Sequence, residues 1–164
     1  IIDFCSVKKH KSEAMLSYLP KEVGIISSQP MFGPDSFESN KKLKMMMDKT
    51  RTTNSTFNYW RQFFKNQNIN IIEMSPDEHD LIAARTQGVT HLLGRTLKKF
   101  GIQKTKIDTK GFRDLIDLVE QTCNDTWELY SDLQLYNPHT NSMLEDLKVS
   151  LDQIEDKLKE DKNE

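Results

Sequence analysis

Cysteine is scarce in this chain: two in 164 residues, Cys5 and Cys123, far apart. They form no disulfide framework and no zinc site. Four histidines, His10, His79, His91 and His139, also lack metal-ligand spacing, so no metal is expected. No apolar run approaches the roughly 18 residues of a membrane span. No basic-then-apolar signal segment opens the chain. Charge of one sign is missing too: 23 basic against 25 acidic residues leave a net charge of −2. No global basic field invites nucleic acid. These absences point to a soluble chain of a reducing, intracellular compartment. What is present suffices for a core. Hydrophobic residues make up 36% of the chain, with eight Phe, four Tyr and two Trp. Its length fits one domain, or two small ones.

The chain changes character near Ser75. Before it, β-like and helical runs alternate. Ile1 to Cys5 reads as a strand that begins in mid-pattern, which suggests that the chain starts inside a larger pattern. Lys11 to Leu19 reads as a helix stopped by Pro20, and Val23 to Ser27 as a short buried strand. Pro30, Gly33 and Pro34 punctuate a loop. Leu43 to Met47 and Ile69 to Met74 are further β-like runs. Between them Asn54 to Asn66 places Phe57, Trp60, Phe63 and Phe64 on one helical face. This alternation favours an α/β sheet. After Ser75 only helices are expected. Ser75-Pro76-Asp77-Glu78 is a capping box with proline at the first helical position. Its helix runs to Phe100, ends at Gly101, and is expected to lie buried at the centre of a helical domain. A second helical stretch spans Gly111 to Tyr136 with a break near Asn124. A third starts near Pro138. There Leu144, Leu147, Leu151, Ile154 and Leu158 step by three and four, a narrow seam of about two heptads. That seam must pack on the rest of the chain or on a second subunit. Glu160 to Glu164 reads as a frayed tail.

Three strings carry chemistry. Asp3-Phe4-Cys5-Ser6-Val7-Lys8 is the first. Gln29-Pro30-Met31-Phe32-Gly33-Pro34-Asp35-Ser36 is the second. Glu73 to Asp80, followed by Thr90-His91-Leu92-Leu93-Gly94-Arg95, is the third. In this order they resemble the prephenate/arogenate dehydrogenases of tyrosine biosynthesis. Thr109-Lys110-Gly111-Phe112, Leu118-Val119-Glu120 and Leu129-Tyr130 to Tyr136-Asn137 are especially similar to the plant-type arogenate branch. The resemblance implies an oxidoreductase using NAD or NADP, and a homodimer formed through a helical domain. It implies the C-terminal half of a Rossmann-like nucleotide-binding domain over residues 1–74 and a helical dimerisation and substrate domain over 75–164. It places the protein in the cytoplasm, or in the plastid of a photosynthetic eukaryote. The glycine-rich GxGxxG turn that holds a pyrophosphate is absent, so cofactor contacts within this chain are expected only around Cys5 and Ser6.

The resemblance also implies site residues. A histidine precedes Pro-Met-Phe-Gly-Pro in the family, as base for the substrate hydroxyl, and the serine of Ser-Val-Lys orients it. Here the base position holds Gln29. A carboxamide can donate to or accept from a hydroxyl but cannot take its proton at neutral pH. Three readings stand: activity is lost, another histidine such as His91 substitutes, or the proton goes to water while Gln29 positions the hydroxyl. Ser6 keeps the orienting role. The resemblance puts His91 in the substrate pocket with Gly111 and Arg113; its other reading is a satisfied histidine at a helix interface. Plant-type enzymes commonly carry an acidic residue where Arg113 stands. Arginine would repel an ammonium and favour a carboxylate or keto acid; its other reading is a surface partner for an acid. His79 is expected to be solvated. The rival to the enzyme is a non-catalytic helical dimerisation module or degenerate homologue.

Overall fold

The computed structural model describes residues 1–33 and 43–162. Pro34, Asp35 and Ser36 of the second string lie outside the described residues. Packing divides the chain into two units, Ile1–Ile82 and Ala83–Glu164.

The first unit is a three-stranded sheet flanked by helices. Strands β1 (Ile25–Pro30), β2 (Leu43–Arg51) and β3 (Ile69–Glu73) lie in the order β1-β2-β3. β1 runs antiparallel to β2, with Gln29 opposite Met46, and β2 runs parallel to β3, with Met45 opposite Ile71. The central strand is apolar on both faces, and Met45, Met46 and Met47 are all buried. The strand expected at Ile1 to Cys5 reduces to one parallel bridge, Ile2 to Ile26. Beyond it Asp3 folds its carboxylate back onto the Cys5 N–H at 3.2 Å, and the chain turns out of the ladder. Helix α1 (Lys9–Tyr18) follows and stops before Pro20, because a proline disfavours helical backbone in the residue before it. Helix α2 (Asn54–Asn66) is capped by Thr53, whose hydroxyl accepts the Thr56 N–H at 3.2 Å. Its face of Phe57, Trp60 and Phe64 covers Ile26, Met45, Met47, Ile69 and Ile71 of the sheet side. Burying Phe57 alone contributes about 1.5–3 kcal/mol.

Helix α3 (Pro76–Ala83) starts where the Ser75 hydroxyl accepts the Glu78 N–H at 3.2 Å. The helix does not stay α-helical up to Phe100. Ala84–Gly88 is a π-helical segment, after which α4 (Val89–Phe100) resumes. Gly101 ends it in the left-handed region at φ 90°, where a glycine carries no Cβ penalty. The expectation of a helix buried at the centre of its domain fails. Leu81, Ile82 and Leu93 are 45%, 47% and 38% exposed, while the buried positions are His79, Asp80, Ala83, Ala84, Gly88 and Gly94. Small and polar residues are its buried positions, while Leu81 and Leu93 face outward and Leu92 and Leu97 are half-buried.

The second unit adds α5 (Lys110–Thr122), α6 (Trp127–Leu135) and α7 (Thr140–Glu160). α4 and α5 approach so closely at Gly94 that an added Cβ would sit 1.9 Å from the Thr122 Oγ1. The break expected near Asn124 separates α5 from α6, and Thr126 caps the latter by accepting the Leu129 N–H at 3.1 Å. α7 buries Thr140 and Met143, but from Lys148 to Asp161 every residue is exposed. No described helix is long and apolar enough to cross a membrane.

Candidate functional site

In the first unit the Asp3–Lys8 segment and the end of β1 share a buried polar centre. Lys8 is fully buried. Its ammonium donates to the Asp3 carboxylate and to the Ser28 carbonyl, the latter at 2.5 Å. Asp3 in turn accepts the Ser28 N–H at 3.1 Å, and the Ser28 hydroxyl donates to the Asp3 carbonyl at 2.6 Å. Both ends of this six-residue segment therefore grip the residue just before Gln29. Cys5 and Ser6, between the two grips, are half-buried, and Gln29 is buried on the strand. Alternation along β1 sets Gln29 on the face of Ser27, whose hydroxyl meets that of Ser12 in α1 at 2.6 Å. Burial lowers the Lys8 pKa from its ordinary value, and the bond to Asp3 opposes that shift.

A second buried group closes this centre. The Asp80 carboxylate accepts the backbone N–H groups of Lys8 and Lys9, each at 2.9 Å, and so caps α1 from another helix. His79 Nδ1 lies 2.9 Å from Asp80 Oδ1. A carboxylate is an acceptor only, which puts the ring proton on Nδ1. Nε2 is buried and has no hydrogen-bond partner among the described residues. His79 is thus a buried, carboxylate-held imidazole and not the solvated residue expected, because the helix turns this face to α1.

The second unit holds the remaining expected residues in two places. His91 lies on α4 with Nδ1 3.6 Å from Asp125 Oδ2. One turn on, Arg95 donates through Nη2 to the carbonyls of Asp125 and Thr126 at 2.7 and 3.1 Å. Its guanidinium carbon lies 4.7 Å from the Tyr130 ring centre and 5.6 Å from that of Trp127. Burial raises the Tyr130 pKa, against the pull of Arg95. Arg95 thereby fixes the turn that presents Asp125 to His91. Gly111 and Arg113, at the start of α5, are exposed. Arg113 Nη1 donates to the Asp108 carbonyl at 2.7 Å, inside a loop where Asp108 also accepts from Thr105. That bonding to Thr105 holds the Asp108 carboxyl below the usual range. Among the described residues no three His, Cys, Asp or Glu side chains assemble as a metal site.

Residues 96–164 match a family described as TYRAAT1-like, C-terminal domain. Over 163 residues the chain is 37% identical to "Arogenate dehydrogenase 2, chloroplastic" of Arabidopsis thaliana, covering 96% of this chain and 46% of that one. Nearly the whole chain is thus similar to arogenate dehydrogenase sequences. It spans about half the length of that relative. A probable arogenate/prephenate dehydrogenase of Methanocaldococcus jannaschii is 27% identical, over 88% of this chain and 34% of its own. The fold is that of the solved family members. The prephenate dehydrogenase of Aquifex aeolicus, in complex with hydroxyphenyl propionate and NAD+, superposes with a TM-score of 0.76. It is 16% identical, with 99% of this chain and 60% of that one covered. The arogenate dehydrogenase of Synechocystis gives 0.71 at 19% identity, with 98% and 62% covered.

A family dehydrogenase needs a phosphate cradle for its dinucleotide, and the described residues do not supply one. None of the described glycines opens a helix at a strand end. Gly24 precedes a strand, and its Cβ position meets Thr52 Oγ1 at 3.1 Å, so its space is already filled by the chain itself. Four residues stand out that the strings alone did not mark: Lys8, Asp80, Arg95 and Asp125. Lys8, Asp80 and Arg95 lie inside the quoted strings, but only their burial and partners separate them from ordinary surface charges.

Proposed function

We propose that the protein carrying this chain performs the NAD(P)-dependent oxidative decarboxylation of prephenate or arogenate. In this reaction the carbon bearing the hydroxyl loses a hydride to the nicotinamide as the hydroxyl gives up its proton, the ring carboxylate leaves as carbon dioxide, and the aromatic phenolate so formed takes a proton back. Gln29 carries the reading. The resemblance assigns it the position of the base, and in support it is buried, with the residue before it held by Asp3 and Lys8. A rigidly placed carboxamide orients the hydroxyl by hydrogen bonding, and Ser6, in the held segment, assists. The proton then leaves to water or to an imidazole. His91, set against Asp125, is the substitute base on this reading. Cys5 and Ser6 reach the nicotinamide end of the cofactor. Gly111 and Arg113 belong to the substrate side, where the arginine favours prephenate over arogenate. The helical unit makes a homodimer.

The test is Gln29→His in the gene product that carries this chain, with both substrates and both cofactors. An imidazole placed there should raise turnover by on the order of 10²-fold, the usual scale of a positioned base. The gain should fade below about pH 6, as imidazole protonates. Unchanged turnover in Gln29→His, with activity lost in His91→Ala, would move the base to His91. The second reading, a non-catalytic assembly module, is favoured by the same glutamine. It stands if neither Gln29→His nor the natural protein turns over either substrate.

A further inference from the structure

We propose that the C-terminal half of α7 is a contact surface for a second copy of this chain, with two α7 helices crossing antiparallel about a two-fold axis near residues 152 and 153. The inference rests on the homodimer proposed above and gives it a register.

The apolar stripe of α7 begins inside its own unit at buried Met143 and continues through half-buried Leu147. It then runs off the unit: Leu151, Ile154 and Leu158 are 69%, 61% and 63% exposed. These three share one face at heptad spacing, and the helix carries them past its last intramolecular support. A solvated helical end gains little from propensity alone, and an amphipathic stripe of this kind is held by packing.

The charges beside the stripe identify the occupant. With Leu147 and Ile154 at d and Leu151 and Leu158 at a, Lys148 and Glu155 fall at e, and Ser150 and Lys157 at g. A parallel pair would set Ser150 beside Glu155 of the other helix and bring no opposite charges together across the seam. An antiparallel pair with Leu151 opposite the partner helix's Ile154 equivalent, and Leu147 opposite its Leu158 equivalent, does the reverse. Lys148 of each copy then lies beside Glu155 of the other, twice by symmetry, while Ser150 meets Lys157 without conflict. Lys148 makes no ion pair among the described residues. Glu155 holds Lys159 of its own helix at 2.7 Å, on the side away from the seam. The stripe is therefore complementary to itself, as a two-fold interface requires.

Charge reversal tests the register without any readout of turnover. Lys148→Glu, Glu155→Lys and the double variant should be compared with the natural chain by sedimentation equilibrium, with circular dichroism confirming that all remain helical. Each single reversal replaces two attractive contacts with two repulsive ones and should raise the dimer Kd roughly tenfold. The double variant restores opposite charges and should return within about twofold of the natural Kd. A dimer indifferent to either single reversal, or a double variant as weak as the singles, overturns this register while leaving the dimer standing. A natural chain that is monomeric at tens of micromolar overturns both.

Discussion

Lys8 keeps an ammonium where it has no exposed surface, against an Asp3 carboxylate whose side chain is 10% exposed. Removing one member of such a pair strands the other. Lys8→Met should therefore cost about 3–5 kcal/mol in urea unfolding of the first unit, and Lys8→Met with Asp3→Leu should recover most of that loss. The pair also has a pH signature. Because the folded pKa of Lys8 lies below its ordinary 10.5, the folded chain releases this proton before the unfolded chain does. Unfolded molecules then bind more protons, so this group's contribution to stability grows as pH rises through the alkaline range below 10.5. Below the folded pKa the burial penalty is fully present. Lys8→Met should lack that alkaline slope, measured as unfolding free energy against pH. At this scale the sequence strings single out Ser6, Gln29 and His91 as candidates but say nothing of what holds them. The lysine of Ser-Val-Lys and the His79-Asp80 pair look like surface polar residues until the chain brings Asp3, Ser28 and the α1 N-terminus to them. Those contacts join residues some 20 to 70 positions apart, beyond the reach of local pattern.

Helix ends are local events, and they were legible for that reason: a serine before Pro76, a glycine after Phe100, a break near Asn124. The π-helical segment was not. Its irregular backbone is supported from elsewhere, since Gln134 Nε2 of α6 donates to the Gly88 carbonyl at 2.9 Å. The run Ile1 to Cys5 misled in the other direction, because its β-like composition takes no account of Asp3 bending the chain away. Gly94 of α4 leaves no room for a side chain against Thr122 of α5. Gly94→Ala would drive a methyl into the Thr122 hydroxyl, which already donates to the Leu118 carbonyl at 2.9 Å. The substitution should cost about 1–3 kcal/mol by forced separation of the two helices, despite alanine's better helix propensity. Thermal unfolding of Gly94→Ala, and of Gly94→Ala with Thr122→Ala, gives the check. The second variant should regain part of the loss, because the nearest atom is gone.

The two packed units each have their own support: a sheet with a methionine-rich centre in one, helices around Gly94 and the π-helical segment in the other. The helical unit leaves much apolar surface in solvent, including Leu135, Leu151, Ile154 and Leu158. Light scattering at micromolar concentration should therefore report two copies of the 19.1 kDa chain, joined by an interface of about 2,000 Å² or more. A monomer would refute this. The aromatic placement described above has a spectroscopic consequence. Each unit owns one indole. Trp60 meets Tyr59 and Phe63 edge-on and Phe64 at a tilt, against the sheet core, and Trp127 is 68% exposed beneath the Arg95 guanidinium. Emission from Trp60 should sit to the blue and shift red when the sheet opens. Trp127 already emits from water, so its band should move little and change mainly in intensity as the cation leaves it. With Trp60→Phe and Trp127→Phe as matched probes, a single fluorescence titration can tell whether sheet and helices melt together or in turn.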